Sequence, residues 1–331
     1  MVMNQAKTLI TDLENIRRSE MNAETKQGIV PFQVLLAYDG SPHARAATEM
    51  LADLARGKPA CLEDCHLAML AVLPTQYITG HEQLQSALTQ AADMLRNQGI
   101  QVSQEIKAGN PAASINRVAD EIRADLVVLG AKGLRATLGI LLGGVAQQVV
   151  EYSSCPVLVV REPYRGIKRL LLVTDGSDCS QKAADYLARH PGEGTPRRFP
   201  LPEDVEIRLM HVLPPSIPSE VTLRAWTMGP EALYPPPLPA VEIEELEKQE
   251  TRFGEQLLAE TANILKRGGL EVKSVLKRGD AASEIIEYSK ENQIDLIVCG
   301  SRGLSEVAGW LLGTVSRKLV HYAGCSVLVV K

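Results

Sequence analysis

Behind the short apolar run IDLIVC stands GSRGLSEVAGWLLGTVS, residues 300–316, where Gly300, Arg302 and Gly303 come first and Gly313, Thr314, Val315 and Ser316 follow nine residues later. The chemistry open to such a set is anion binding. Glycine lets the backbone turn with positive φ and approach a ligand closely, which aims N–H groups at phosphate oxygens. A helix opening at Gly313–Thr314 adds free N–H groups and the positive end of its dipole, and a hydroxyl there adds a donor. The spacing suits a polyphosphate. It equally suits a tight strand-to-loop turn in which Thr314 only caps a helix.

The same spacing occurs earlier, at Gly130, Gly133 and Gly143, but Gly144 stands where the later segment has Thr314. Each segment has a companion upstream, an acidic residue followed by Gly-Ser: Asp39 in LLAYDGS and Asp175, after Thr174, in LLVTDGS. Better-known signals are absent. The chain has no G-x-x-x-x-G-K-[ST], no G-x-G-x-x-G leading from the first strand of either copy into its helix, and no G-x-S-x-G. The histidines at 43, 66, 81, 190, 211 and 321 fall at unrelated places, so no Ser-His-Asp set is suggested.

These pairs belong to a longer repeat. VLLAYDGSPHARAA returns as LLLVTDGSDCSQKAA, DLVVLGAKG as DLIVCGSRG, and CPVLVV as CSVLVV, so the chain is a duplication. The offset between copies is 136 at Asp39 and Asp175, 140 at Leu73 and Leu213, and 170 from Gly109 and Gly279 onward. The second copy therefore carries extra residues, most of them in the Pro-rich stretch near 214–240, where missing N–H donors favour a loop or lid.

Each copy must place its glycines with alternating strands and helices. Short runs rich in Val, Leu and Ile at 34–38, 67–73, 102–106, 126–129 and 157–160 read as strands buried on both faces. Helical stretches lie between them near 43–56, 82–98, 111–123 and 142–153, with Gly99 as a helix stop and Pro111 in a first turn. The second copy repeats this with strands near 169–173, 206–212, 271–276, 295–299 and 326–330 and a helix near 242–267. Alternation of this kind implies an α/β fold with right-handed crossovers and a parallel sheet. Ligands of such sheets bind beyond the carboxyl ends of the strands, where the glycine segments lie. The expected organisation is an N-terminal extension over 1–29, with a helix near 5–19, then domains over 30–164 and 165–331.

Composition narrows the function classes. A chain of 331 residues exceeds one usual core, and a net charge of −5 leaves no electrostatic footprint for nucleic acid or an anionic membrane. No segment has the 18 apolar residues needed to span a bilayer, and the reading is a cytoplasmic protein. Six cysteines without CxxC spacing read as reduced thiols.

The spacing Gly-x2-Gly-x9-Gly-[Ser/Thr], with Asp-Gly-Ser after the first strand, resembles the universal stress protein (UspA) family, and the duplication resembles its tandem members. The resemblance implies two Rossmann-like (adenine nucleotide alpha hydrolase-like) domains, each a five-stranded parallel sheet of order 3-2-1-4-5, with ATP across strands 1 and 4. Carried over, Asp175 contacts the adenine or ribose side and Val212 receives the base through its backbone. The glycine loop with Thr314, Val315 and Ser316 holds ribose and phosphates. Thr174 and Arg302 complete that expected set. The first copy keeps Asp39, Val72, Gly130, Gly133 and Gly143 but has Gly144, so it ranks as the weaker site. ATP, or its relatives ADP and AMP, is the expected cofactor, with Mg as the companion ion of ATP. The family pairs last strands, which implies an intramolecular pairing of Val157–Val160 with Val327–Val330 and leaves a homodimer open. The expected role is a nucleotide-dependent regulatory or stress-response module. A weak ATPase and a nucleotide-free interaction scaffold are the alternatives. No general base is evident, and the S-G-G-x-D-[ST] loop of the related ATP pyrophosphatases is missing.

Overall fold

The computed structural model describes residues 32–56, 65–74, 81–134, 141–188, 199–216, 240–303 and 312–331. The expected N-terminal extension with its helix, and nearly all of the Pro-rich stretch, lie outside the described residues. In the first half, β1 (Phe32–Ala37), α1 (Pro42–Arg56), β2 (Cys65–Leu73), α2 (His81–Arg96) and β3 (Gln101–Ala108) are followed by α3 (Pro111–Glu121), β4 (Leu126–Gly130), α4 (Gly144–Tyr152) and β5 (Val157–Val160). The second half runs β6 (Arg169–Val173), α5 (Asp178–Ala188), β7 (Glu206–Leu213), α6 (Ala240–Arg267) and β8 (Val272–Arg278). It ends with α7 (Ala281–Glu291), β9 (Leu296–Gly300), α8 (Thr314–Tyr322) and β10 (Ser326–Val330).

All ten strands form one sheet in the order β3-β2-β1-β4-β5-β10-β9-β6-β7-β8. Each half therefore has the order 3-2-1-4-5, parallel throughout, and the halves meet where β5 lies antiparallel to β10. In that seam Val327 faces Val159, Leu328 faces Leu158 and Val329 faces Val157. Both seam strands are wholly buried, as strands made of Val and Leu after the single Ser326 should be. The outer edges belong to β3 and β8, whose QVSQEIKA and VKSVLKR are half exposed and charged, a composition that discourages edge pairing with another chain.

The sheet is covered on both faces. Leu36, Leu67, Leu172 and Leu209 pack with α1, α2, α5 and α6, whereas Leu35, Val127, Leu171 and Ile297 pack with α3, α4, α7 and α8. Each core runs through both halves, so the repeats share their hydrophobic interior across the seam.

Local chemistry sets the helix limits. Asn110 and Asp280 accept the N–H groups of Ala113 and Ser283, which caps α3 and α7, and Pro111 supplies a preset φ in the first turn of α3. Gly99 and Gly269 stop α2 and α6 with φ of +87° and +76°. The helix expected from residue 142 starts at Gly144 instead, because Gly143 is its cap. Among the described residues no helix is long and apolar enough to cross a membrane.

Candidate functional site

The sheet order reverses between β1 and β4, and between β6 and β9, so each half has a crevice at the carboxyl ends of those strands. Two loops meet there. One is the Asp-Gly-Ser turn after the first strand; the other is the glycine loop after the fourth. In the first half the turn bends at Gly40, with φ +78°, and in the second at Gly176, with φ +82°. A side chain at either position would be strained, which accounts for the first glycine of each turn.

The aspartate works locally. Oδ1 of Asp39 accepts the N–H of Ser41 at 3.0 Å and Oδ2 accepts that of Leu134 at 3.1 Å, so one carboxylate ties the turn to the glycine loop. Asp175 accepts both the N–H of Ser177 at 3.0 Å and its hydroxyl at 2.6 Å. The serine completes the tie from the other side. Ser41 donates its hydroxyl to the carbonyl of Lys132 at 3.1 Å, and the single Ser177 proton, directed chiefly to Asp175, is shared with the carbonyl of Arg302, whose oxygen lies 3.2 Å from the hydroxyl. The sequence reading passed over these serines. Their signal was available in the repeated Asp-Gly-Ser, which appears in both halves at the same place.

The glycine spacing is explained by packing, which corrects one expectation. None of Gly130, Gly133, Gly143, Gly300, Gly303 or Gly313 has positive φ. A Cβ on Gly130 would stand 2.8 Å from the backbone of His43 and Ala44, and one on Gly300 would stand 2.5 Å from the carbonyl carbon of Cys179. The first glycine therefore lets the fourth strand touch the opening turn of α1 or α5. A Cβ on Gly133 or Gly303 would stand 2.6 or 2.5 Å from Oδ2 of Asp39 or Asp175, so the second glycine makes room for the aspartate. Gly143 and Gly313 donate their N–H to the carbonyls of Ala131 and Ser301, both at 2.8 Å, and cap α4 and α8 without a side-chain bond.

Thr314 is thus the first helical residue and not the cap, and it is exposed. It stands in the opening turn of α8, within reach of solvent. Ser316 is buried and donates its hydroxyl to the carbonyl of Gly300 at 2.6 Å, which commits that proton to the frame of the loop. Thr174 is 2% exposed, and its hydroxyl lies 3.2 Å from that of Ser180. Its side chain serves the turn. Val72 and Val212 are the half-buried penultimate residues of their strands, and Lys132 and Arg302 occupy matching places between the first two glycines.

A cavity of ≈ 670 Å³ opens in the first half. Asp39, Val72, Pro111, Lys132, Gly143 and Gly144 are among its lining residues, so every first-copy candidate stands in its wall together with Gly130 and Gly133. The rest of the wall is mostly apolar, with Ala37, Leu70, Ile115 and Leu129 below and Leu84 and Ala87 on α2 above. The apolar part of the wall comes from β1, β2 and α3, through Ala37, Leu70 and Ile115. The opening turn of α4, with its unpaired N–H groups, lies at the opposite end and favours an anion.

Two titrations reflect the packing. Burial holds His43 below the ordinary histidine value, while its Nδ1 accepts the N–H of Glu162 at 3.0 Å. Burial pushes the Cys299 thiol up to about 12, so this cysteine beneath the second glycine loop stays protonated. Neither is placed as a nucleophile or general base.

Comparison with known proteins agrees with this frame. The profile of the universal stress protein family matches twice, over residues 32–161 and 166–331. A universal stress protein of Mycolicibacterium smegmatis is 27% identical over 324 residues, which is 92% of this chain and 99% of its own. One of Methanocaldococcus jannaschii is 39% identical over 177 residues, 52% of this chain and 87% of its own. The crystal structure of a universal stress protein from Archaeoglobus fulgidus superposes with a TM-score of 0.57 at 18% identity, covering 90% of this chain and 98% of that one, a likeness of fold. With the profile matched once in each half, and each half built on the same five-stranded order around the same aspartate and glycine loop, the chain belongs to the universal stress protein family as a tandem, two-domain member.

Proposed function

We propose that this protein is a nucleotide-dependent regulatory module, and that it takes an adenine nucleotide in the crevice of its first half. The observation that carries the reading is the ≈ 670 Å³ cavity there, apolar where a base would lie and backed by a helix N-terminus where phosphate would lie. Val72 offers its backbone to the base, Asp39 stands on the ribose side, and Gly144 and Val145, in the first turn of α4, bring N–H groups to the phosphates. ATP is the nucleotide proposed, with ADP and AMP as its competitors. Among the described residues no group of three or more His, Cys, Asp or Glu is placed to hold a metal, so magnesium arriving with ATP would rest chiefly on phosphate oxygens.

A second reading places ATP in the second half. It is favoured by the exposed Thr314 on the opening turn of α8 and by Arg302, which is also exposed. The domains proposed for these roles are 30–164 and 165–331, joined through β5 and β10, with soluble, cytoplasmic action as a regulator.

Equilibrium binding of labelled ATP to the full chain, with turnover followed in parallel, tests the function. Binding without turnover supports the regulatory reading; turnover supports the weak ATPase; neither leaves an interaction scaffold. Thr314→Gly then separates the halves. If the second half holds ATP, the lost hydroxyl weakens binding about ten- to a hundredfold, since hydrogen bonds to charged groups contribute about 1.5–3 kcal/mol. If the first half holds it, the dissociation constant is unchanged.

A further inference from the structure

Arg161 follows β5 at the seam and spans two elements from different halves. Its Nη1 donates to the carbonyl of Leu141 at 2.8 Å, and Leu141 stands two residues before Gly143, at the close of the first glycine loop. Its Nη2 donates to the carbonyls of Val320 at 2.8 Å and His321 at 3.0 Å, in the last turn of α8. Its backbone N–H reaches the hydroxyl of Ser326 on β10 at 3.2 Å. Burial pushes the guanidinium below its usual value. A desolvated cation among carbonyl oxygens is held by their geometry and by the negative end of a helix dipole, so it follows those oxygens when they move.

The equivalent residue of the second half is Lys331, by the offset of 170. Its Nζ donates to the carbonyl of Val150 in the last turn of α4, the mirror of the Arg161 contact with Val320. An ammonium carries its three donors on one nitrogen at the end of a flexible stem, whereas the planar guanidinium fork serves two elements at fixed angles. The seam thus carries a symmetric pair of helix caps, and Arg161 is also a strut to the first glycine loop.

We propose that Arg161 is a positioning residue that couples nucleotide occupancy of the first glycine loop to helix α8 of the second half. This rests on the reading that the first crevice binds adenine nucleotide. Ligand at Gly143 and Gly144 fixes the loop end at Leu141; Arg161 carries that constraint to the carbonyls of Val320 and His321. Helix α8 is nine residues long, about 13 Å, and rigid at that length, so its far end at Thr314 registers the change. The surface controlled by the nucleotide is then the second crevice, on the far side of the seam.

Hydrogen exchange of the full chain with and without saturating ATP, and separately AMP, tests this on wild type, Arg161→Lys and Ala37→Leu. Ala37→Leu fills the first cavity from its floor and so removes ligand from that half alone. In wild type the proposal expects slower exchange both at the first glycine loop and in α8, by about fivefold or more in the helix, the lower end of ordinary coupling between sites. In Arg161→Lys the loop remains protected by nucleotide and α8 does not respond. In Ala37→Leu both effects are lost. Protection of α8 that survives in Arg161→Lys, or in Ala37→Leu, overturns the coupling, the second result pointing to nucleotide bound directly in the second half. Loop protection without any response in α8 overturns the coupling and leaves the first-crevice reading intact. Absence of nucleotide binding by calorimetry removes both.

Discussion

The two crevices share a frame and differ in their walls. Both have the aspartate tied to its own turn, the serine tied to the glycine loop, and glycines at the points where a Cβ would collide. The residues facing the ligand space have diverged. Ala37 in the first half corresponds to Val173 in the second, and Leu70 to Met210. The offset of 170 through the stops at Gly99 and Gly269 pairs Leu84 with Gly254 and Ala87 with Leu257. On α6, Gly254 allows close approach to the sheet, since a Cβ there would stand 2.9 Å from Leu276 and 3.0 Å from Leu213. Leu257 then sits over the turn, 3.3 Å from where a Cβ of Gly176 would be, against 3.9 Å between Leu84 and Gly40. Beneath, Tyr38 beside Ala71 is replaced by Thr174 beside His211, whose Nδ1 lies 2.8 Å from the carbonyl of Thr174. The loop motif specifies where a site can be, and the side chains of the neighbouring strands and helix decide how much room it has.

The largest effect that separates frame from ligand contact is at the glycines. Gly300→Ala forces a Cβ against the backbone of Cys179, an overpacking that costs about 3 kcal/mol, whereas Gly144→Ala meets nothing within 4 Å and changes stability by under about 1 kcal/mol, in the favourable direction. Urea unfolding of the two variants reads the difference directly. Equal midpoints would mean that the first glycine is not there for packing.

Next in size is the wall. Ala37→Leu, by filling the first cavity, is expected to weaken ATP about a hundredfold, or 2.7 kcal/mol by the relation of affinity to free energy, with little change in thermal stability. Val173→Ala removes bulk from the second crevice and leaves the principal affinity alone. Calorimetric titration of both variants ranks the halves, and a loss confined to a change at Val173 would reverse the ranking.

The serine ties come third. Ser41→Ala removes a buried hydroxyl that donates to Lys132 and accepts from the N–H of Ala44, so stability falls by about 1–2 kcal/mol and ATP weakens several-fold as the first glycine loop loses its anchor. Ser177→Ala costs similar stability and leaves the affinity unchanged. The smallest effect is in pH. His43 has a folded value held below its ordinary 6.5, so the unfolded chain takes the proton more readily. Its contribution is fully present above pH 6.5 and is lost as pH falls through the lower folded value. Denaturation midpoints between pH 7 and 5 should fall less in His43→Gln than in wild type.

Much of this architecture was legible in the residues. Runs such as VLVV and the repeated offsets locate the strands and the duplication, because buried parallel strands admit little besides Val, Leu and Ile and because a repeat reports its own boundaries. Asp39, Asp175 and the two glycine sets were found for the same reason. The function of each glycine was not readable, since contact with His43, Cys179 or an aspartate carboxylate depends on residues about 90 to 130 positions away. The ranking of the halves has two sources that point apart. Thr314 against Gly144, a difference visible in one motif, favours the second half, while the room above the motif depends on Ala37, Ala87, Val173 and Leu257, which sit on separate elements and carry no motif at all.

The central claim is that the walls, and not the loop motif, select the first crevice. A crystal structure of the full chain with ATP tests it most directly: the account predicts nucleotide between Val72, Asp39 and the opening turn of α4, and nucleotide beside Gly300 and Gly313 with the first cavity vacant would contradict it.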